Sequence, residues 1–262
     1  MPTIRRPAVA GMFYPGSPQE LRSTVEELLR DAPAPGGPMP KAVIAPHAGY
    51  VYSGPTAAAA FQSLAGRPIE RAIILGPAHR VPVRGLALSG ADAFATPLGN
   101  VPVDTAAARQ VSGLPQVTTF PEAHAHEHSL EVELPFLQVL FPEAWVLPVV
   151  VGDAEGEEVA EVLDLLWGGP ETAVVISSDL SHYLPYDVAR RVDRETADEI
   201  LALEGPLHSR QACGAYPING LLVAARARGM APRLLDLRNS GDTAGDRGRV
   251  VGYGAFAFSE AG

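Results

Sequence analysis

The sequence is poor in several residue types, and each shortage excludes a class of protein. Cys213 is the sole cysteine among 262 residues, so neither an intramolecular disulfide nor a cysteine-rich zinc site can form. Lys41 is the sole lysine, and the formal charge of −10 argues against a nucleic-acid-binding protein, which needs a basic face. The longest apolar runs, such as Trp145–Val151, are as long as a strand and too short to span a bilayer. No secretory signal is apparent, so we expect a cytoplasmic protein without nucleic-acid or membrane partners.

Three common motifs are also missing from the chain. It contains no GxSxG nucleophile elbow, no P-loop and no GxGxxG dinucleotide fingerprint. These absences argue against a serine hydrolase, a nucleoside triphosphatase and a dehydrogenase.

What the chain does contain is a regular alternation of short apolar runs and helical patterns. Hydrophobic residues make up 47% of it and charged residues 19%, which predicts a sizeable core. The predicted strands are Lys41–Pro46, Arg71–Gly76, Gly85–Ser89, Ala144–Val151, Thr172–Ser178, Arg233–Arg238 and Val250–Phe258. The predicted helices are Ser17–Leu29, Pro55–Leu64, Thr105–Val111, Ser129–Leu140, Glu155–Leu166, Val188–Leu203 and Pro217–Arg228. The pattern predicts one α/β domain over residues 1–262, a three-layer α/β/α sandwich around a mixed, mostly parallel sheet.

Three of the seven histidines occupy equivalent places in this pattern. His47 follows the first predicted strand, His79 the second and His182 the fifth. In open α/β sheets, ligands bind in the crevice beyond the carboxyl ends of the strands. Imidazole is the commonest protein ligand for zinc, copper and non-haem iron, and Asp179 could orient His182 or bind a metal itself. A single loop histidine is usually an ordinary polar residue, but three at equivalent positions favour one shared metal site.

The segment 123–135 carries three more histidines and allows two interpretations. An extended strand would present His124, His126 and His128 on one side as a chelating group. Alternatively the segment is an exposed loop leading into a helix capped near Ser129, with early glutamates that suit the helix dipole. On that second interpretation, which we favour, His128 leans into the crevice while His124 and His126 are solvated. The seventh histidine, His208, is expected in a surface turn.

Two further features remain ambiguous at this point. The glycine-rich segment 239–246 could form an anion-binding nest or supply Asp242 as an oxygen ligand, or it could be a plain polar loop. Cys213 is interpreted as a small buried hydrophobic residue rather than a nucleophile.

Several short motifs resemble one known family over nearly the whole chain. They are Gly11-Met-Phe-Tyr-Pro15, Pro46-His-Ala-Gly-Tyr50, Tyr52-Ser-Gly54, Gly76-Pro-Ala-His79, Glu127-His-Ser-Leu-Glu131, Ser177-Ser-Asp-Leu-Ser-His182 and Cys213-Gly214. Their order is similar to that of Memo-family proteins, whose prokaryotic members are often called protein B of the AmmeMemoRadiSam system. The resemblance implies a fold like that of class III extradiol dioxygenases, which are non-haem Fe(II) enzymes. It also implies a functional link to AMMECR1-type and radical-SAM proteins.

The resemblance assigns roles to individual residues. His47 and His79 resemble the two metal-binding histidines, while His128 and His182 resemble those beside the metal and, with Asp179, are the expected catalytic residues. The third ligand is a Glu in the dioxygenases and a Cys in animal Memo proteins, but Thr243 stands at that position here. Asp242 is therefore expected as the third metal ligand, with Asp179 and His182 as alternatives, unless the metal is weakly held or lost.

The resulting hypothesis is a redox protein that binds Fe(II), or alternatively copper or zinc, and acts like a dioxygenase on a small molecule. One alternative is a non-catalytic module that binds a peptide or protein in the same crevice. Another is a zinc-dependent hydrolase.

Overall fold

The computed structural model describes residues 2–34 and 36–260. The helices are α1 (Pro18–Asp31), α2 (Tyr50–Gln62), α3 (Thr105–Val111), α4 (Pro121–Ala125), α5 (Leu134–Leu140), α6 (Gly156–Leu166), α7 (Tyr186–Leu201) and α8 (Ala215–Ala227). The strands are β1 (Ile4–Arg5), β2 (Ala42–Ala45), β3 (Arg71–Pro77), β4 (Leu86–Leu88), β5 (Ala93–Thr96), β6 (Gly99–Pro102), β7 (Val117–Thr119), β8 (Trp145–Val151), β9 (Thr172–Ser177), β10 (His182–Leu184), β11 (Ala231–Asn239) and β12 (Val250–Ser259). Short 3₁₀ turns cover Glu131–Glu133 and Ser240–Asp242.

A large mixed sheet forms the centre of the fold, in the strand order β10-β12-β2-β9-β3-β8-β4-β7, with β11 paired to β12. Strands β2, β9, β3 and β8 are mutually parallel, and antiparallel pairs flank them on both sides. The parallel strands are buried almost throughout, as expected for continuous apolar runs covered on two faces.

Helices pack against this sheet in groups. Helices α1, α2 and α5 contact one another, and α2 also contacts β2, β11 and β12. Helices α3, α6 and α8 form a second group, which contacts β3, β8 and β9, while α7 packs on β10, β11 and β12. The prediction of an α/β sandwich around a mixed sheet is confirmed, although antiparallel pairing is more extensive than predicted.

The predicted strands and helices are present, with ends that differ by up to five residues, as at the start of α2. Pro55 was expected to start this helix, but the helix begins five residues earlier, at Tyr50, and contains the proline. A proline at 55 removes the hydrogen bond to the carbonyl of Val51, and since Val51 is 68% exposed, water can replace the lost donor. Strands β1, β5 and β6 form a separate small sheet that the sequence did not predict.

The side chain of Lys41, directly before β2, is buried and bonds to the backbone that leads into β9. Its Nζ donates to the carbonyls of Gly169 at 2.7 Å, Thr172 at 2.9 Å and Gly168 at 3.3 Å. The three ammonium hydrogens therefore all have acceptors. Burial, with the nearby Arg67 guanidinium, lowers the pKa of Lys41 to about 8.

The described helices are all too short or too polar to cross a bilayer.

Candidate metal centre

Two of the predicted histidines lie where parallel strands end. His47 comes two residues after β2 and His79 two residues after β3, and β9 runs between these strands. The end of β9 leads directly into Ser178 and Asp179. The carboxyl edge of the parallel strands thus gathers His47, His79 and Asp179, whereas His182, the third histidine of the predicted shared site, starts β10 and is outside the histidine cluster.

A third histidine joins them from a different part of the chain. His128 lies in the loop after α4, and its ring stacks on that of His79 with centroids 4.8 Å apart. The His47 ring meets His79 edge-on at 5.2 Å and His128 at 5.4 Å. One nitrogen from each ring falls within 4.8 Å of the other two. We call His47, His79 and His128 the histidine triad.

Glu127 organises two members of this triad. Its Oε1 accepts from His79 Nδ1 at 2.8 Å and from the backbone N–H groups of His128 and Ser129 at 2.9 Å each. Its Oε2 accepts from the backbone N–H of His79 at 2.6 Å. Although burial opposes it, these hydrogen bonds lower the pKa of Glu127 to about 2. An ionised carboxylate on Nδ1 leaves the lone pair of His79 on Nε2.

His47 is held by a separate set of groups. Its Nδ1 lies 2.7 Å from Ser177 Oγ, and its backbone N–H donates to Asp179 Oδ1 at 2.9 Å. Its Nε2 lies 3.4 Å from the Sγ of Cys213, which also accepts from the backbone N–H of Asp179 at 3.3 Å. Cys213 therefore touches the candidate site, a contact that its interpretation as a small hydrophobic residue does not include.

Burial favours uncharged imidazole at two members of the triad, His47 and His128. Burial lowers the pKa of His47 well below its usual value, and the neighbouring His79 and His128 lower it further. Burial also lowers the pKa of His128 to about 4. Because protonation and metal ligation compete for the same lone pair, these two rings are ready to act as ligands at neutral pH.

The triad opens into a cavity of about 660 Å³ that also contains two of the predicted catalytic residues. His182 lines this cavity from the start of β10, and burial lowers its pKa. Asp179 lines it as well, and burial raises the pKa of this carboxyl group to about 7. Asp179 holds the backbone at His47 rather than the ring of His182, which was the role considered from the sequence.

The structure does not bring Asp242, the expected third ligand, to the triad. The hydroxyl of Tyr186 donates to its Oδ1 and the backbone N–H of Asn239 to its Oδ2, and Asp242 lines a different cavity beside α7. The Thr243 hydroxyl bonds within its own loop, where it donates to the Ser240 carbonyl at 3.2 Å. His128 takes the place in the cluster that was expected for Asp242.

The segment 123–135 also differs from the sequence interpretation. His124 was expected in solvent but is 2% exposed, and its Nε2 donates to the Ala87 carbonyl at 2.9 Å. His126 is exposed, as expected. Glu131 and Glu133, expected in the first turn of a helix, are fully buried and lie in a 3₁₀ turn that precedes α5.

The donor set fits a transition metal such as iron, copper or zinc. Imidazole suits all of these metals, and each δ-nitrogen of His47 and His79 already has a hydrogen-bond partner, so their ε-nitrogens remain as ligand atoms. A carboxylate on one ligating histidine is a common support of such sites.

Glu127 provides a sharp test of this arrangement. In Glu127→Gln, either amide orientation turns an N–H group toward backbone or ring donors, so His79 and His128 lose their fixed positions. We expect metal affinity to fall by about 10–100-fold, measured by competition with a coloured chelator. Glu122→Gln, an exposed position in the same segment, is the control and should bind like the wild type. Equal affinities for both variants would contradict a role of Glu127 at the site.

Comparison with known proteins places the chain in a family. The model of the Memo-like protein family matches residues 5–257. A MEMO1 family protein of Methanopyrus kandleri is 38% identical, with 97% of this chain and 98% of that protein covered. One from Archaeoglobus fulgidus is 36% identical, with 97% and 99% covered. An uncharacterized Escherichia coli protein of known structure is 16% identical, with 84% and 100% of the chains covered and a TM-score of 0.49. The chain belongs to the Memo family.

Proposed function

We propose that this protein binds a non-haem iron or copper ion through the histidine triad and performs redox chemistry on a small organic molecule. The observation that supports this proposal is the convergence of three imidazoles, from three separate chain segments, beside one cavity. When bound, such an ion supplies Lewis-acid activation and, for iron or copper, one-electron chemistry.

The remaining cavity residues suit the binding and proton chemistry of such a reaction. His182 can accept a proton at a ring nitrogen, because its half-buried ring has a lowered pKa and is uncharged at neutral pH. Asp179, with a pKa of about 7, can hold a proton or release it. Arg80 and Arg249 also line the cavity, and neither takes part in the ion pairs found within residues 2–34 and 36–260. Although the Asp246 carboxylate lines the same cavity, two guanidinium groups outside those ion pairs favour an anionic substrate.

The proposal is tested by metal loading of the chelator-stripped protein with Fe(II) under anaerobic conditions, followed by desalting. We expect the wild type to retain about one iron per chain, and His79→Ala to retain none because it loses a ligand and the partner of Glu127. His208→Ala, an exposed surface position, is the matched control. Oxygen uptake by the loaded wild type is then measured with a panel of phenolic and other organic acids. Iron retention that is the same in His79→Ala and the wild type would overturn the proposal.

A second candidate, a zinc-dependent hydrolase, is favoured by one feature of the donor set. Non-haem iron oxygenases commonly use two histidines and a carboxylate, whereas three histidines with an open position also make catalytic zinc sites. The carboxylate of Glu127 is engaged in hydrogen bonds to the His79 ring and to the backbone N–H groups of His79 and His128, which leaves the three imidazoles as the donor set. Ester hydrolysis by zinc-loaded protein, together with no oxygen uptake by iron-loaded protein, would favour this candidate.

A further inference from the structure

Ser177, at the end of β9, has three polar neighbours that together determine where its hydrogen lies. Its Oγ is 2.6 Å from the carbonyl oxygen of Ser129, 2.7 Å from His47 Nδ1 and 2.8 Å from Glu133 Oε1. A serine hydroxyl has one hydrogen to donate and two lone pairs to accept with. When each contact has its own hydrogen, one contact uses the hydroxyl hydrogen and the other two use the lone pairs.

The carbonyl of Ser129 decides the assignment. A carbonyl oxygen can only accept, and two oxygens 2.6 Å apart require a hydrogen between them. The Ser177 hydroxyl hydrogen therefore points at Ser129. It follows that His47 donates from Nδ1 and that Glu133 donates from Oε1, so Glu133 carries a proton.

The surroundings of Glu133 agree with this assignment. The side chain is fully buried, and its Oε2 has no hydrogen-bond partner among the described residues. A buried unpartnered oxygen costs far less free energy on a neutral acid than on an ionised carboxylate. Burial also raises the pKa of Glu133 well above its usual value.

We propose that Ser177 and a protonated Glu133 are positioning residues that fix His47 in the tautomer with its hydrogen on Nδ1 and its lone pair on Nε2. The same hydroxyl ties β9 to the backbone at Ser129, next to His128, so it also fixes the spacing of two triad members. In the absence of metal, the Nε2 lone pair lies 3.4 Å from the Cys213 thiol, whose sulfur also lies 3.6 Å from the Asp179 carbonyl as a second acceptor. The inference that this tautomer prepares a metal ligand rests on the proposed function, but the tautomer itself does not.

The test reads the tautomer directly in the metal-free protein at neutral pH. Two-dimensional NMR of ¹⁵N-histidine-labelled protein is expected to show His47 protonated at Nδ1 and unprotonated at Nε2. In Ser177→Ala the Nδ1–H loses its acceptor, so the single tautomer should be lost, and metal affinity should fall by about 10–100-fold. Ser181→Ala is the matched control, since Ser181 is a buried serine whose neighbouring carboxylate is Asp193, outside the histidine triad. Hydrogen on Nε2 of His47 in the wild type would overturn the proposal.

Glu133 is tested without relying on any metal. The infrared difference between wild type and Glu133→Gln should contain the carbonyl band of a protonated carboxylic acid. The glutamine amide can still donate to Ser177, so this variant should keep the His47 tautomer. A difference spectrum with only carboxylate bands would overturn the role of Glu133. If the tautomer and this band are found but no metal binds, the proposed function fails while the inference about His47 stands.

Discussion

Replacing His128 by alanine is expected to abolish stoichiometric metal binding, because the mutation removes one of the three imidazoles that converge beside the cavity. The loss should exceed the roughly 10–100-fold reduction typical of residues that only support a ligand. The mutation also removes the ring that stacks on His79 and packs against Phe13, with the centroids of the Phe13 and His128 rings 4.9 Å apart. Metal content after loading and desalting measures the effect.

Two control variants show whether the loss of metal is specific to the imidazole of His128. His126→Ala removes an exposed histidine two residues away and should retain metal. Asp242→Asn tests the ligand expected from the sequence, and it should also retain metal, since Asp242 lies beside α7 in another cavity. Metal loss in Asp242→Asn together with retention in His128→Ala would reverse the assignment.

The largest effect on stability is expected at Glu131. This fully buried carboxylate pairs with Arg5 and accepts hydrogen bonds from the backbone of Ala8 and Val9 and from the hydroxyl of Tyr14. Glu131→Ala leaves the Arg5 guanidinium buried without its counter-charge. Breaking such a pair costs about 3–5 kcal/mol in the free energy of unfolding, measured by chemical denaturation.

The control for this prediction is an ion pair that is exposed to solvent instead of buried. Glu26 lies 3.9 Å from Arg22 on the exposed side of α1, and Glu26→Ala should leave the free energy of unfolding nearly unchanged. Adding Arg5→Met to Glu131→Ala should recover part of the lost stability, because the uncompensated charge is then gone. A cost for Glu131→Ala as small as that for Glu26→Ala would show that the buried pair does not hold the N-terminal segment.

Much of the fold could be predicted from the sequence because its central strands are long, continuous apolar runs. Strands β3 and β8, with seven residues each, carry a strong signal, and their predicted bounds differ from the observed ones by one residue. Strands β1, β7 and β10, which were not predicted, have two or three residues, too few to show a period. The small sheet was missed for a further reason, since its strands β1 and β5 are far apart along the chain and pair Ile4 with Ala93.

The candidate site was most predictable where it follows strand ends, although the favoured interpretation of segment 123–135 also placed His128 in the crevice. His47 and His79 could be placed from the strands that precede them, because parallel neighbouring strands bring their carboxyl ends together. His128 and Glu127 lie in a loop with no such rule, so their approach to His79 depends on how that loop packs. The signal that could have pointed to Glu127 is its place directly before His128 within a family motif. The burial of Glu131 and Glu133 could not be read from local pattern, because it depends on Arg5 and Ser177 far along the chain.

Because three carbonyls bind the Lys41 ammonium group in the folded protein, chemical labelling of this amine can measure unfolding. Acylating reagents attack only an uncharged and accessible amine, and this one is buried and hydrogen-bonded at the junction of β2 and β9. Since no other lysine competes, the rate at which its side chain is labelled follows the opening of the parallel strands that carry His47. Mass spectrometry of a single modified residue can therefore follow how ligands at the opposite end of those strands change the stability of the sheet.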